Sequence, residues 1–113
     1  MPTFEGYSVV TVPFPYVEQS HEKHRPALVV TTPEFSELYD VAWVVMTTSA
    51  RRKPWPGDVA IDDLATAGLR APSVIRPAKL TMIELTASCR IGSISLSLSV
   101  VVRQALAKAI GLD

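Results

Sequence analysis

At 113 residues and 12.3 kDa the chain has room for one core and too little for two, and a composition 48% hydrophobic and 19% charged excludes a disordered tail protein. Eleven basic side chains balance eleven acidic ones, so no whole-molecule attraction to a polyanion exists, and any nucleic-acid binding must come from local clustering. Such clustering is present: cations gather at His21 to Arg25, Arg51 to Lys53 and from Arg70 to Lys79, and acids at Glu34 to Asp40 and Asp58 to Asp63.

Tyr7 to Val12, Ala27 to Thr32 and Val41 to Thr48 are rich in β-branched residues and bounded by proline, glycine or charged turns, which predicts three strands. Glu34 to Asp40 is read as the connection between the second and third. Shorter strands are predicted at Val59 to Ile61, Ser73 to Arg76 and Lys79 to Leu85, with Asp62 to Leu69 as a turn of helix stopped by Gly68. Pro13, Pro15, Pro26, Pro33, Pro54, Pro56, Pro72 and Pro77 all fall at or beside these strand ends, where a missing amide donor does no harm.

In the tail, Val102, Ala105, Leu106, Ala109 and Ile110 recur at helical spacing, with serines ahead to cap and Gly111 behind. A C-terminal helix laying that stripe against the strands is expected. The alternation in "SISLSLS" fits either a strand or the approach to a helix. The fold class predicted is mainly β (α+β), a small barrel of five or six short strands plus the helix, as a single domain over residues 1–113.

A lone cysteine, Cys89, cannot close an internal disulfide and has no CxxC partner for zinc, so a reduced, intracellular protein is expected. No cationic segment precedes an apolar one at the N-terminus, and the apolar run Val41 to Met46 is far too short to span a bilayer. The expectation is a cytoplasmic protein with no membrane partner.

The chain has no Gly-rich phosphate loop, HExxH, GxSxG or acidic triad, so P-loop nucleotide binding, metal-dependent hydrolysis and serine-hydrolase chemistry lack their required parts. What survives is phosphate chemistry without a metal or cofactor. If the second and third strands pair antiparallel, the end of one returns to the start of the other, bringing Thr47, Thr48 and Ser49 near His24 and Arg25. An arginine fork beside hydroxyl donors binds phosphate oxygens. Arg51, Arg52 and Lys53 then lead into "PWPG", a cationic loop with Trp55 at its tip, and cations plus an aromatic face are the ingredients of single-strand binding.

Each of these residues also has a plainer reading. Arg25 can pair in solvent with Glu18 or Glu22, His21 and His24 can be surface histidines, Thr48 can simply end a strand, and the basic run can be a soluble loop. Trp55, like Phe14 between Pro13 and Pro15, can plug an open end of the barrel. Arg76 stands apart, because an arginine between Ile75 and Pro77 in an apolar strand needs a partner or a ligand.

Taken in order, "VPFPY", "KHRPALVV", "VVMTTSARRKPWPGDVAI", "AGLRAPSVIRPAKL" and "RIGSIS" before a helix ending "AIGLD" resemble the MazF/PemK family of bacterial toxins over nearly the whole chain. The resemblance implies an SH3-like β-barrel with a C-terminal helix, a homodimer, and a sequence-specific endoribonuclease that cuts single-stranded RNA without a metal and is neutralised by a cognate antitoxin. It places an essential arginine at Arg25 and a threonine at the end of the next long strand. The apolar-Thr-Ser pattern selects Thr48 followed by Ser49, whereas counting back from the proline favours Thr47. Arg76 matches an arginine that some members use near the scissile phosphate. Two positions further on, where some members carry an acid, this chain has Ala78.

The reaction so implied is attack of the ribose 2′-hydroxyl on the adjacent phosphorus, giving a 2′,3′-cyclic phosphate and a 5′-hydroxyl. Arg25 suits stabilisation of the developing charge, a role worth about 3 kcal/mol for a preorganised donor. Thr48 and Ser49 would hold non-bridging oxygens and Arg76 share the charge, while His24 or His21 titrates in the range a base needs. Two rivals share the fold: a gyrase-poisoning toxin, which by resemblance relies on a tryptophan near the C-terminus where "AKAIGLD" has none, and a non-catalytic RNA-binding or regulatory module.

Overall fold

The computed structural model describes residues 6–13 and 24–112. Six strands form one antiparallel sheet in the order β4-β5-β3-β2-β1-β6, curled into a half-barrel and followed by a C-terminal helix. The strands are β1 (Ser8–Pro13), β2 (His24–Val29), β3 (Val41–Ser49), β4 (Val59–Ala60), β5 (Ser73–Glu84) and β6 (Cys89–Ser93), and the helices are α1 (Pro33–Tyr39), α2 (Leu64–Ala67) and α3 (Leu96–Ala109). The mainly-β class expected from the sequence is therefore the observed one.

Both faces of the sheet carry buried apolar side chains. One carries Val9, Leu28, Val45 and Ile75 beneath Leu98 and Val102 of α3; the other carries Val10, Val12, Ala27, Val29, Val44 and Met46, with Leu85 from the turn after β5 in the same cluster. A strand with buried residues on both sides has no polar face, which is why Ala27 to Val30 and Val44 to Met46 read as unbroken apolar runs; Trp43, just before the second run, is exposed. Each fully buried Val, Leu, Ile or Met among them contributes roughly 1.5–3 kcal/mol.

Four local expectations are corrected. β2 runs His24–Val29 rather than Ala27 to Thr32: the Val30 amide still donates to the Trp43 carbonyl of β3, but the Thr32 hydroxyl accepts the Phe35 amide and Pro33 begins a helix, which turns the chain away from the sheet. The following segment is thus α1 and not a bare connection; Asp40 ends it in the left-handed region at φ 61°. Ser73 to Glu84 is one strand of 12 residues instead of two: between the pairs Met46↔Arg76 and Val45↔Leu80 the register jumps, leaving Pro77, Ala78 and Lys79 without partners on β3. Pro26 and Pro77 accordingly lie inside strands, Pro77 in a bulge where its missing amide costs no ladder bond.

The stripe on α3 is also shifted. Leu98, Val102 and Leu106, four apart, meet the core, whereas Ala109 is exposed and Ile110 is 64% exposed. "SISLSLS" divides between the two readings, Ser93 ending β6 and Leu96 opening α3 with Ser95 as N-cap. The unexpected β6 has a packing reason: a Cβ at Gly92 would overlap the backbone of Thr66 and Ala67, and one at Gly68, already at φ 76°, would overlap Ile91. α2 therefore seats backbone to backbone on β6.

Candidate functional site

The β2–β3 ladder sets Ala27 against Met46. The β2–β3 ladder ends at that pair, and continuing its register by two residues leads to Arg25 and Thr48, which are paired instead with Val12 of β1 and Val74 of β5. Because successive side chains alternate between faces, Arg25 and Thr48 lie on the Ala27–Met46 side of the sheet, and the pair Met46↔Arg76 adds Arg76 to that side. Thr47 turns the other way: it is 5% exposed and its Oγ1 donates to the Pro26 carbonyl at 2.9 Å.

These strand ends form one wall of a cleft of about 410 Å³. Arg25 and Thr48 line it with Met46 and Thr47 beside them, the loop after β3 contributes Arg52, Lys53 and Trp55, and β5 contributes Arg76 and Lys79. Every ionisable group among these lining side chains is a cation.

The loop is pinned to β5 by Asp58. Arg76 donates from Nε to Asp58 Oδ1 at 3.0 Å and from Nη2 to Oδ2 at 2.9 Å, with a further bond from Nη2 to the Lys53 carbonyl at 3.2 Å. Asp58 Oδ2 also accepts the Trp55 amide at 3.0 Å. The Trp55 ring lies over the same guanidinium, 4.3 Å from its carbon to the ring centroid, a cation–π geometry. The hydrogen bonds from Arg76 hold the Asp58 carboxyl below its ordinary range, against the opposing effect of burial and with help from the Trp55 amide; the same bonds push Arg76 upward.

The remaining expected residues divide. Arg76 has the partner it was expected to need, so the expectation that it shares phosphate charge is narrowed: Nε and Nη2 are committed to Asp58 and the Lys53 carbonyl, and Nη1 alone stands outside the clamp. The Ser49 Oγ accepts the Arg51 amide at 3.2 Å and shapes the turn; neither Ser49 nor Arg51 lines the cleft. His24 is exposed at the start of β2, one position from Arg25, and does not line the cleft either. His21 and Phe14 lie outside the described residues.

Met46, Asp58 and Lys79 were not anticipated. The "PGD" turn was the available signal for Asp58, which sequence reading grouped with the acids that follow it. Lys79 enters through the β5 bulge, which strand periodicity alone does not announce. Among the described residues no group of three His, Cys, Asp or Glu side chains is placed to hold a metal, and no helix is long and apolar enough to cross a membrane.

Solved structures share this fold. The MazE–MazF crystal structure (Form-III) from Deinococcus radiodurans superposes with a TM-score of 0.81 at 17% identity, covering 99% of this chain and 100% of that one. The Mycobacterium tuberculosis toxin MazF-mt6 gives 0.71 at 22% identity, covering 94% and 98%. An endoribonuclease in complex with its cognate antitoxin from a mycobacterial species gives 0.75 at 17%, covering 100% and 98%. No curated protein matches the sequence significantly. At these identities the superpositions speak to architecture; membership rests on the sequence profile, which matches residues 5–110: the chain belongs to the PemK-like, MazF-like toxins of type II toxin–antitoxin systems.

Proposed function

We propose that the protein is a metal-independent endoribonuclease, the toxin of its pair, which cuts single-stranded RNA by attack of the ribose 2′-hydroxyl on the neighbouring phosphorus. The observation that carries this reading is the convergence of Arg25 and Thr48 in a cleft whose other charged lining residues are Arg52, Lys53, Arg76 and Lys79. Arg25 binds the phosphate and stabilises the charge that builds on its non-bridging oxygens; Thr48 donates its hydroxyl to one of them and fixes the in-line geometry. Arg52, Lys53 and Lys79 hold the flanking phosphates. The 2′-hydroxyl loses its proton as the P–O bond forms, and the departing 5′ oxygen takes one up, leaving a 2′,3′-cyclic phosphate and a 5′-hydroxyl.

Arginine stays protonated in proteins, so Arg25 serves as the charge stabiliser and not as the base. The cognate antitoxin is assigned an acidic, partly disordered segment, since such a segment complements the cleft and competes with RNA for the same cations. A homodimer is the working assembly.

Incubating the purified protein with a long unstructured transcript in EDTA and mapping the new 5′ ends tests the reading. Discrete 5′-hydroxyl ends at a common sequence are expected, with none from an oligomer carrying deoxyribose at the cut site. Cleavage abolished by EDTA, or unaffected by the deoxyribose, overturns it. RNA bound at high protein without product makes the chain a non-catalytic binding module, and intact RNA with lost DNA supercoiling makes it a gyrase poison.

A further inference from the structure

Trp55 is 43% exposed at the rim of the cleft, yet its position is tightly specified. Its backbone amide is bonded to Asp58 Oδ2, and the Asp58 amide returns a bond to the Trp55 carbonyl at 3.2 Å. One side of its ring is occupied by the Arg76 guanidinium, itself buried and gripped by both oxygens of the same carboxylate. A loop tryptophan whose only task was to cover apolar surface would not need a buried ion pair beneath it. Neither apolar cluster of the sheet includes it.

We propose that Asp58 is a positioning residue and Trp55 a base-stacking residue: Asp58 locks Arg76 and Trp55 into a two-layer stack whose outer ring face receives one unpaired nucleobase beside the scissile phosphate. This rests on the proposed RNA-cleaving function and adds where a base, as distinct from the backbone, is held. Three facts combine in it. The ring already has a cation on one side, which fixes its plane; the residue is 43% exposed and lines the cleft; and the charged residues lining that cleft are all cations, suited to a phosphate chain. Stacking on an aromatic face accepts any base, so this subsite contributes affinity and registers the chain, with sequence preference left to other contacts.

The experiment uses the full chain in a Trp43→Phe background, which preserves the ring contact with Phe35 and leaves Trp55 as the emitter. It is titrated with an uncleavable deoxyribose oligomer containing the preferred cut sequence, and with the same oligomer made abasic at single positions. Quenching of Trp55 emission by the intact oligomer, lost when one particular position is abasic, is expected. Trp55→Leu should weaken binding of the intact oligomer about tenfold while leaving the oligomer abasic at that position unaffected. Asp58→Asn should reproduce this loss with the burden on KM more than kcat, and Asp58→Glu should restore part of it.

Equal quenching by every abasic oligomer, or a Trp55→Leu protein that loses affinity equally for intact and abasic forms, overturns the stacking assignment while the nuclease reading survives on its own cleavage assay. If Asp58→Asn fails to fold, Trp55→Leu still decides the stack. Absence of both cleavage and oligomer binding overturns the two readings together.

Discussion

Arg25 of β2 and Thr48 of β3 line the same cleft, just beyond the Ala27↔Met46 pair that ends the β2–β3 ladder. That relationship follows from backbone register, so it survives changes in the surrounding loops. Its energetic content is preorganisation: the backbone of Arg25 is paired with Val12 of β1 and that of Thr48 with Val74 of β5, so both side chains start from fixed strand positions when charge develops between them.

Removing either donor should therefore cost rate without costing the fold. Arg25→Ala is expected to lower cleavage by about 10²–10³ or more, and Thr48→Val by a smaller factor, on the scale of losing one preorganised donor. Arg25→Lys should recover little, since an ammonium lacks the planar fork. Cleavage rates on a defined oligomer, set against unchanged thermal unfolding, check this; an active Arg25→Ala protein would remove that side chain from the reaction.

Thr47 gives the opposite pattern. Its hydroxyl is buried and committed to the Pro26 carbonyl, so Thr47→Val should lower stability by roughly 1 kcal/mol and leave cleavage nearly unchanged. Urea unfolding beside a cleavage assay separates the two threonines. A Thr47→Val protein that is stable but inactive would exchange the roles assigned to Thr47 and Thr48.

The sequence made the ladder legible and the loops not. Apolar runs at Ala27 and Val41 with turn residues between them sufficed to bring Arg25 near Thr48, because antiparallel pairing leaves few alternatives. The helix over Pro33 to Tyr39 was hidden because its shortness offers few periodic positions, although Thr32 and Pro33 carried its start signal. Strand β6 was hidden because its neighbours are decided by backbone contact at Gly68 and Gly92 rather than by side-chain pattern. In the cleft, the cations were readable as composition. Their sorting was not: Arg76 is paired with a carboxylate 18 residues away in sequence, Arg51 does not line the cleft, and Lys79 enters it through a bulge.

Salt dependence should report that sorting. Each phosphate neutralised on a single strand contributes about −0.7 to the slope of log K against log salt concentration. Arg52→Gln and Lys53→Gln should each make the slope shallower by about that amount, because both line the cleft, whereas Arg51→Gln should change it less. Fluorescence anisotropy with an uncleavable oligomer at several salt concentrations measures the slopes. Equal effects at all three positions would mean that the loop acts as diffuse charge and that its lining residues have no special standing.

Acid should unlock the loop before it unfolds the sheet. Asp58 is held below its ordinary range chiefly by hydrogen bonds from Arg76, and Asp63 chiefly by the Thr66 hydroxyl at the start of α2. A carboxylate whose folded value lies below its unfolded value contributes stability that is fully present above the unfolded value, near 4, and is lost as pH falls through the folded one. Unfolding free energy should thus be flat with respect to these two groups above about pH 5 and decline below pH 4, and Asp58→Asn and Asp63→Asn should each flatten part of that decline. Because Asp58 also carries the Trp55 amide, Trp55 emission in the Trp43→Phe background should change at a pH where far-UV circular dichroism is still native. Emission that changes only together with the global transition would show that the carboxylate stabilises the fold as a whole rather than the loop.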